Sequence, residues 1–77
     1  MRAGYFVITK ELMNSPLWDE ISRELYATFI PIGNKEIGNG CIEMHGYSDR
    51  FDDLPEGETK QYEAVFYGNK LSEINPV

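Results

Sequence analysis

The sequence predicts a single small α+β domain, in the order β-α-β-β-β. We expect a four-stranded mixed or antiparallel sheet with one short helix packed on one face. Three observations predict this class. The chain has 77 residues, which make one domain over 1–77 and leave no room for a second. Its apolar fraction of 42% is typical of a chain that folds. Four stretches have the residue pattern of strands, and only one has helical spacing.

The first strand and the helix are predicted near the N-terminus. Residues 5–9 form a continuous run of aromatic and β-branched residues, which predicts a central strand covered on both faces. Ser15 is a good N-cap, and Pro16 suits the first helical position because its missing N–H costs nothing there. We therefore predict a helix over residues 16–24. Its apolar residues recur every four positions: Leu17, Ile21, Leu25.

A second strand is predicted from residue 25 or 26 to residue 32. Ala27 and Phe29 would lie on one side of it, and the other side would carry Tyr26, Thr28, Ile30 and Ile32. Pro31 cannot donate a ladder hydrogen bond, so we expect this strand to end there or to run along an edge. Two glycine-rich stretches follow, and they supply the positive-φ residues of a hairpin connection: Gly33-Asn34, Gly38-Asn39-Gly40.

The third and fourth strands are predicted at Cys41–Tyr47 and Gln61–Tyr67, and a polar loop over residues 48–59 separates them. In the third strand, Ile42 and Met44 share the apolar face, and Glu43 and His45 share the other. Residues 70–77 are too few and too mixed to assign. A single short helix covers only part of such a sheet, so we expect one face to stay open to a partner.

The small size of the chain also points to a partner. A domain this short buries too little surface for a wide stability margin. Cys41 is the only cysteine, which excludes an internal disulfide and a cysteine-rich zinc site. Self-association or docking on another protein is the expected supplement, and no cofactor is expected.

Charge narrows the class of partner. A formal charge of −6 repels phosphate backbones and anionic lipid, which disfavours direct nucleic-acid or membrane binding, and it attracts basic surfaces. A lone thiol without an export signal leads us to expect the cytoplasm, or the host cytoplasm for a phage-encoded chain.

Five carboxylates are concentrated within ten residues of the polar loop: Asp49, Asp52, Asp53, Glu56, Glu58. Three uses are open for them. They could hold a hard cation such as Ca²⁺, although their spacing does not match an EF-hand loop. They could occupy a basic groove meant for nucleic acid. They could also simply keep the loop solvated over the sheet edge, with Phe51 and Leu54 tucked inward as anchors.

His45, the only histidine, allows a further alternative. It could act as a general base with Glu43, two residues away on the same strand face, and the two side chains start roughly 6.5–7 Å apart. Cys41 is about 13 Å from His45 along the strand, too far for a shared metal. No third partner is evident, so a half-buried strand histidine is the simpler account.

The stretch GYFVITKELMNSPLW, from Gly4 to Trp18, resembles the opening of phage replication-organiser proteins, in which a short strand precedes a Ser-Pro-apolar-Trp helix start. The remainder departs from that family. A strand follows the helix at once, where a winged-helix domain needs two more helices, and the charge disfavours DNA. We do not adopt the family, and the resemblance favours only a phage or mobile-element origin.

These observations favour a non-enzymatic protein-binding module that acts through its acidic surface. The expected partner is a protein with a basic surface, such as a nucleic-acid-handling complex of the host. Anti-CRISPR proteins and DNA mimics are comparable in being short, acidic and free of motifs. The predicted partner-binding residues are Asp49, Asp52, Asp53, Glu56, Glu58, Tyr47 and Phe51. Two alternatives stay open: a structural or regulatory homodimer, and a metal-binding protein or hydrolase using Glu43 and His45 or loop 49–58.

Overall fold

A computed structural model describes residues 2–77 and shows a small α+β fold. The class is the predicted one, but the described residues form five strands and two helices instead of four and one. In chain order the elements are β1 (Ala3–Ile8), α1 (Lys10–Met13), α2 (Trp18–Tyr26), β2 (Ile30–Gly38), β3 (Cys41–Tyr47), β4 (Gln61–Tyr67) and β5 (Lys70–Pro76). The bounds predicted for the third and fourth strands are confirmed.

The five strands form one mixed sheet in the order β2-β3-β1-β4-β5. The central strand, β1, is antiparallel to β3 and parallel to β4, which confirms the expected central position of the first strand. The outer pairs, β2 with β3 and β4 with β5, are antiparallel. Strands β2 and β5 are therefore the two edges.

The core lies on one face of this sheet, beneath both helices. Burial alternates along β1, and only every second residue is fully enclosed. The prediction that β1 is covered on both faces is therefore wrong: the other face, which includes Tyr5 and Val7, is only half-buried. We call this second side the open face. The buried apolar residues are Phe6, Ile8, Ile21, Leu25, Phe29, Met44, Phe51 and Tyr62.

The helical segment differs from its predicted bounds. Helix α2 begins at Trp18, because residues 14–17 form turns in which Ser15 Oγ accepts a hydrogen bond from the Leu17 N–H at 3.2 Å. The helix α1 that precedes it was not predicted. Its N-cap is Thr9, whose side chain accepts from the Leu12 N–H at 3.2 Å, and its four residues are too few to show a helical period. No helix within residues 2–77 is long and apolar enough to span a membrane.

The second strand was predicted too early in the chain. Leu25 is 2% exposed and belongs to α2, where its packing against the core extends the helix to Tyr26. Strand β2 starts only at Ile30 and runs through Gly33-Asn34, which was predicted to be part of the turn. The pairing with β3 slips between Pro31 and Gly33, and β2 is an edge strand as Pro31 indicated.

The predicted hairpin turn at Gly38-Asn39-Gly40 is confirmed. All three residues have positive φ angles, of 100°, 53° and 75°. The unassigned tail forms β5, which pairs with β4 after a tight turn at Gly68 with φ 60°.

Gly46 generates a test of the register between β2 and β3. A Cβ at this position would lie 2.1 Å from the carbonyl oxygen of Ile30 and 2.7 Å from the ring of Phe29. Gly46→Ala should therefore destabilise the fold by about 1–3 kcal/mol, because backbone cannot move aside cheaply. Gly33→Ala is the matched control, since a Cβ there meets nothing within 4 Å. Thermal unfolding should show a clear loss for the first variant alone; equal melting temperatures would contradict this register.

Candidate functional site

The acidic loop between β3 and β4 is anchored to the core by Phe51. This side chain is 1% exposed, and its ring stacks on Tyr62 with centroids 4.2 Å apart and planes 11° apart. It also contacts Phe6 and Phe29 at centroid distances of 5.5 and 5.9 Å. The only aromatic residue of the loop thus fixes it to the same core that holds the helices.

Hydrogen bonds between side chains and the loop backbone add to this anchor. The Asp52 N–H donates to the Tyr62 hydroxyl at 2.8 Å. The Arg2 guanidinium donates to the carbonyl of Phe51 at 3.0 Å and to that of Asp49 at 3.3 Å. Ser48 is buried, and its Oγ accepts from the Arg50 N–H at 3.1 Å. The first part of the loop is therefore held in place, and its position follows from the fold.

The five loop carboxylates all belong to exposed residues, as their sequence pattern predicted: Asp49, Asp52, Asp53, Glu56, Glu58. Asp52 forms an ion pair with Lys60 at the end of the loop. The hydrogen bond to Asp52 raises the pKa of the Lys60 ammonium. Desolvation opposes this increase, and attraction to the Asp52 charge adds a smaller one. The loop thus neutralises part of its own charge near Lys60.

The second half of the loop encloses a groove on the open face, with a volume of about 660 Å³. The groove brings together three of the predicted partner-binding residues, Tyr47, Glu56 and Glu58, and adds His45 and Ile32. Its lining consists of Ala3, Gly4, Ile32, His45, Gly46, Tyr47, Pro55, Glu56, Gly57, Glu58 and Thr59.

Asp49 lies outside this groove, beside a neighbouring cavity of about 360 Å³ that it lines together with Tyr47. Tyr47 therefore separates the two concave regions. Asp52 and Asp53 line neither of these two cavities. The predicted residues form a continuous stretch of chain, but they do not converge on one point.

Phe51 was predicted both to tuck inward and to belong to the partner-binding surface, and its burial agrees with the first prediction and not with the second. A ring with 1% exposure cannot contact a partner in this conformation, so Phe51 holds the loop from beneath. The exposed apolar side chains next to the groove are on β2 instead. Ile30 and Ile32 are 68% and 60% exposed. Sequence reasoning placed them in a strand without assigning them a role, although Pro31 between them already indicated an edge.

Glu43 and His45 meet as their shared strand face allowed. Glu43 Oε1 lies 3.0 Å from His45 Nε2, and the Tyr5 ring stacks on the imidazole at a centroid distance of 4.7 Å. Both side chains of this contact are about a quarter to a third exposed, with values of 24% for Glu43 and 31% for His45. Within residues 2–77, no group of three or more His, Cys, Asp or Glu side chains is placed to hold a metal ion. The arrangement fixes the His45 ring as part of the groove floor.

Comparison of the chain with protein families, with curated proteins and with solved structures found no match.

The hydroxyl of Tyr62 provides a test of how the loop is held. Tyr62→Phe keeps the ring stack with Phe51 but leaves the Asp52 N–H without its acceptor. We expect a loss of roughly 0.5–1.5 kcal/mol in the free energy of unfolding, measured by urea denaturation. Tyr67→Phe, at a residue 75% exposed, is the matched control and should cost almost nothing. Identical stabilities for the two variants would argue against this anchor.

Proposed function

We propose that this chain is a non-enzymatic protein-binding module that docks its acidic loop on a basic surface of another protein. The observation that carries the proposal is the division of the loop into two sides. Phe51 is buried in the core, whereas all five carboxylate residues of loop 49–58 are exposed. The loop also carries the exposed Arg50, but its charge is predominantly negative. A fixed surface with an excess of one charge sign steers encounters with a surface of the opposite sign and sets the register of docking.

The surroundings of the loop support this proposal. Interfaces combine a few apolar or aromatic anchors with a polar rim. Tyr47 lines both concave regions, and the exposed Ile30 and Ile32 lie next to it. Carboxylates Glu56 and Glu58 border the same groove. Charge and exposed apolar surface thus occur together at one end of the sheet.

The contacts of His45 fix the orientation of its ring on the surface. Its Nε2 lies 3.0 Å from Glu43 Oε1, and one face of the ring is covered by Tyr5. A role for the imidazole as a fixed part of the surface accounts for both contacts.

We further propose that the partner handles nucleic acid. Proteins of that class carry Lys and Arg side chains arranged for phosphates, and a chain with a net charge of −6 presents the complementary sign. An inhibitor from a phage or mobile element, acting in the host cytoplasm as a DNA mimic or in the manner of an anti-CRISPR protein, is the specific form of this proposal.

A second candidate, a structural or regulatory homodimer, is favoured by one observation. All nine residues of edge strand β2 are exposed, and its outer side pairs with no strand among residues 2–77. Exposed edges of this kind can pair with a second copy. Sedimentation equilibrium separates the two candidates: a monomer at all concentrations excludes the obligate dimer, and a dimer abolished by Ile30→Lys would establish it.

Neutralising the loop tests the first proposal. The variant Asp49→Asn/Glu56→Gln/Glu58→Gln removes three exposed charges and leaves the Asp52–Lys60 pair intact. Its partner should be lost in quantitative affinity purification from the source cells, and the affinity for the purified partner should fall about tenfold, at ~0.2–1 kcal/mol per exposed pair.

The matched control for this test is Asp19→Asn/Glu11→Gln/Glu73→Gln, which makes the same chemical changes at exposed residues elsewhere on the chain. It should keep wild-type binding. Equal losses in the two triple variants would show that only net charge matters, and unchanged binding in both would refute docking through the acidic loop.

A further inference from the structure

We propose that the groove between loop residues 55–59 and the open face binds an arginine side chain of the partner, carried on an extended basic segment. The inference rests on the proposed function and deepens it, because it assigns one part of the acidic surface to one chemical group. It concerns the groove alone, whereas docking through loop 49–58 could occur without it.

The size of the groove fits such an occupant. Its volume of about 660 Å³ lies within the range of roughly 300–1,000 Å³ that is usual for binding pockets. This space exceeds what one side chain needs, so it can take a guanidinium group together with the neighbouring backbone of a peptide.

The charges around the groove select the sign of the ligand. Glu56 and Glu58 lie on its loop wall and are exposed, and no Lys or Arg lines it. The nearest basic residue in sequence, Lys60, is paired with Asp52. The carboxylates of this wall therefore have no lysine or arginine of the groove to neutralise them, and a cationic ligand supplies the missing charge.

The floor of the groove favours arginine among the cations. A guanidinium group is weakly hydrated, stacks on aromatic rings and can bind two carboxylate oxygens at once. Tyr47 and His45 line the groove from β3, and the His45 ring is held in place by Tyr5 and Glu43. A floor that is already fixed lowers the entropy cost of binding.

The neighbouring edge strand favours an extended segment. Ile32 lines the groove, is 60% exposed and belongs to β2, whose outer side has no strand partner among residues 2–77. The aliphatic stem of an arginine can pack on this side chain, while the peptide on either side of it passes along the edge.

The test is a titration of the ¹⁵N-labelled chain with the peptide acetyl-Ala-Arg-Ala-Arg-Ala-Arg-amide, followed by amide chemical shifts. A second peptide with citrulline in place of each arginine keeps the shape and removes the charge. We expect shifts concentrated at Ile32, His45 and Gly57 with the arginine peptide and none with the citrulline peptide. Glu56→Gln/Glu58→Gln should weaken binding roughly fivefold.

The control variant Glu11→Gln/Glu73→Gln loses the same charge at exposed positions elsewhere and should bind as the wild type does. An affinity of Glu56→Gln/Glu58→Gln equal to that of the wild type, equal shifts with the citrulline peptide, or the absence of binding would each overturn the groove assignment. Shifts concentrated at Asp49 would overturn it too, but they would leave the proposed docking through the acidic loop intact. The position of the shifts therefore separates failure of the groove assignment from failure of docking through the acidic loop.

Discussion

The stacking of Phe51 on Tyr62 is the interaction on which the position of the acidic loop depends. Strands β3 and β4 lie on either side of β1, antiparallel and parallel to it, so the end of β3 and the start of β4 lie at the same end of the sheet. The connection between them must pass the beginning of β1. A purely polar segment on this path would gain no free energy by packing against the sheet, since it has no apolar side chain to bury. The ring of Phe51 is buried and stacks on Tyr62, the first inward residue of β4, and this contact holds the loop against the core.

The two halves of the loop therefore differ in their contacts. Residues 48–52 are held against the core by the Phe51 side chain, by hydrogen bonds from Arg2 and by a hydrogen bond to Tyr62. Residues 55–59 then cross the open face, where they form the wall of the groove. Fixing the loop before a partner arrives removes part of the ordering cost that weakens binding by flexible segments. The same constraint gives the exposed carboxylates a defined position relative to Tyr47 and Ile32, so the surface can discriminate between partners by shape as well as by charge.

The sequence predicted the elements whose signals are local. Alternation gave the bounds of β3 and β4, and the positive-φ residues gave the turn at 38–40, because both signals act within a few residues. It failed where tertiary packing overrides propensity. Leu25 and Tyr26 suit a strand, but burial of Leu25 in the core extends the helix through them. For the candidate site, the residue pattern of loop 49–58 predicted exposed carboxylates, and the shared strand face of Glu43 and His45 made their contact possible. The sequence indicated that Phe51 points inward, but it could not show that residues 55–59 line the same groove as His45, since this depends on the path of a loop across the sheet.

Amide hydrogen exchange rates in the free protein show whether the acidic loop is already fixed without a partner. The Phe51 N–H donates to the Ser48 carbonyl at 3.2 Å and the Asp52 N–H to the Tyr62 hydroxyl at 2.8 Å, both next to a buried ring. If the loop is fixed, these two amides exchange far more slowly than unstructured amides, at rates approaching those of the core strands. Exchange of both at the rate of an unfolded chain would contradict it, because the carboxylates would then belong to a loop without a fixed position.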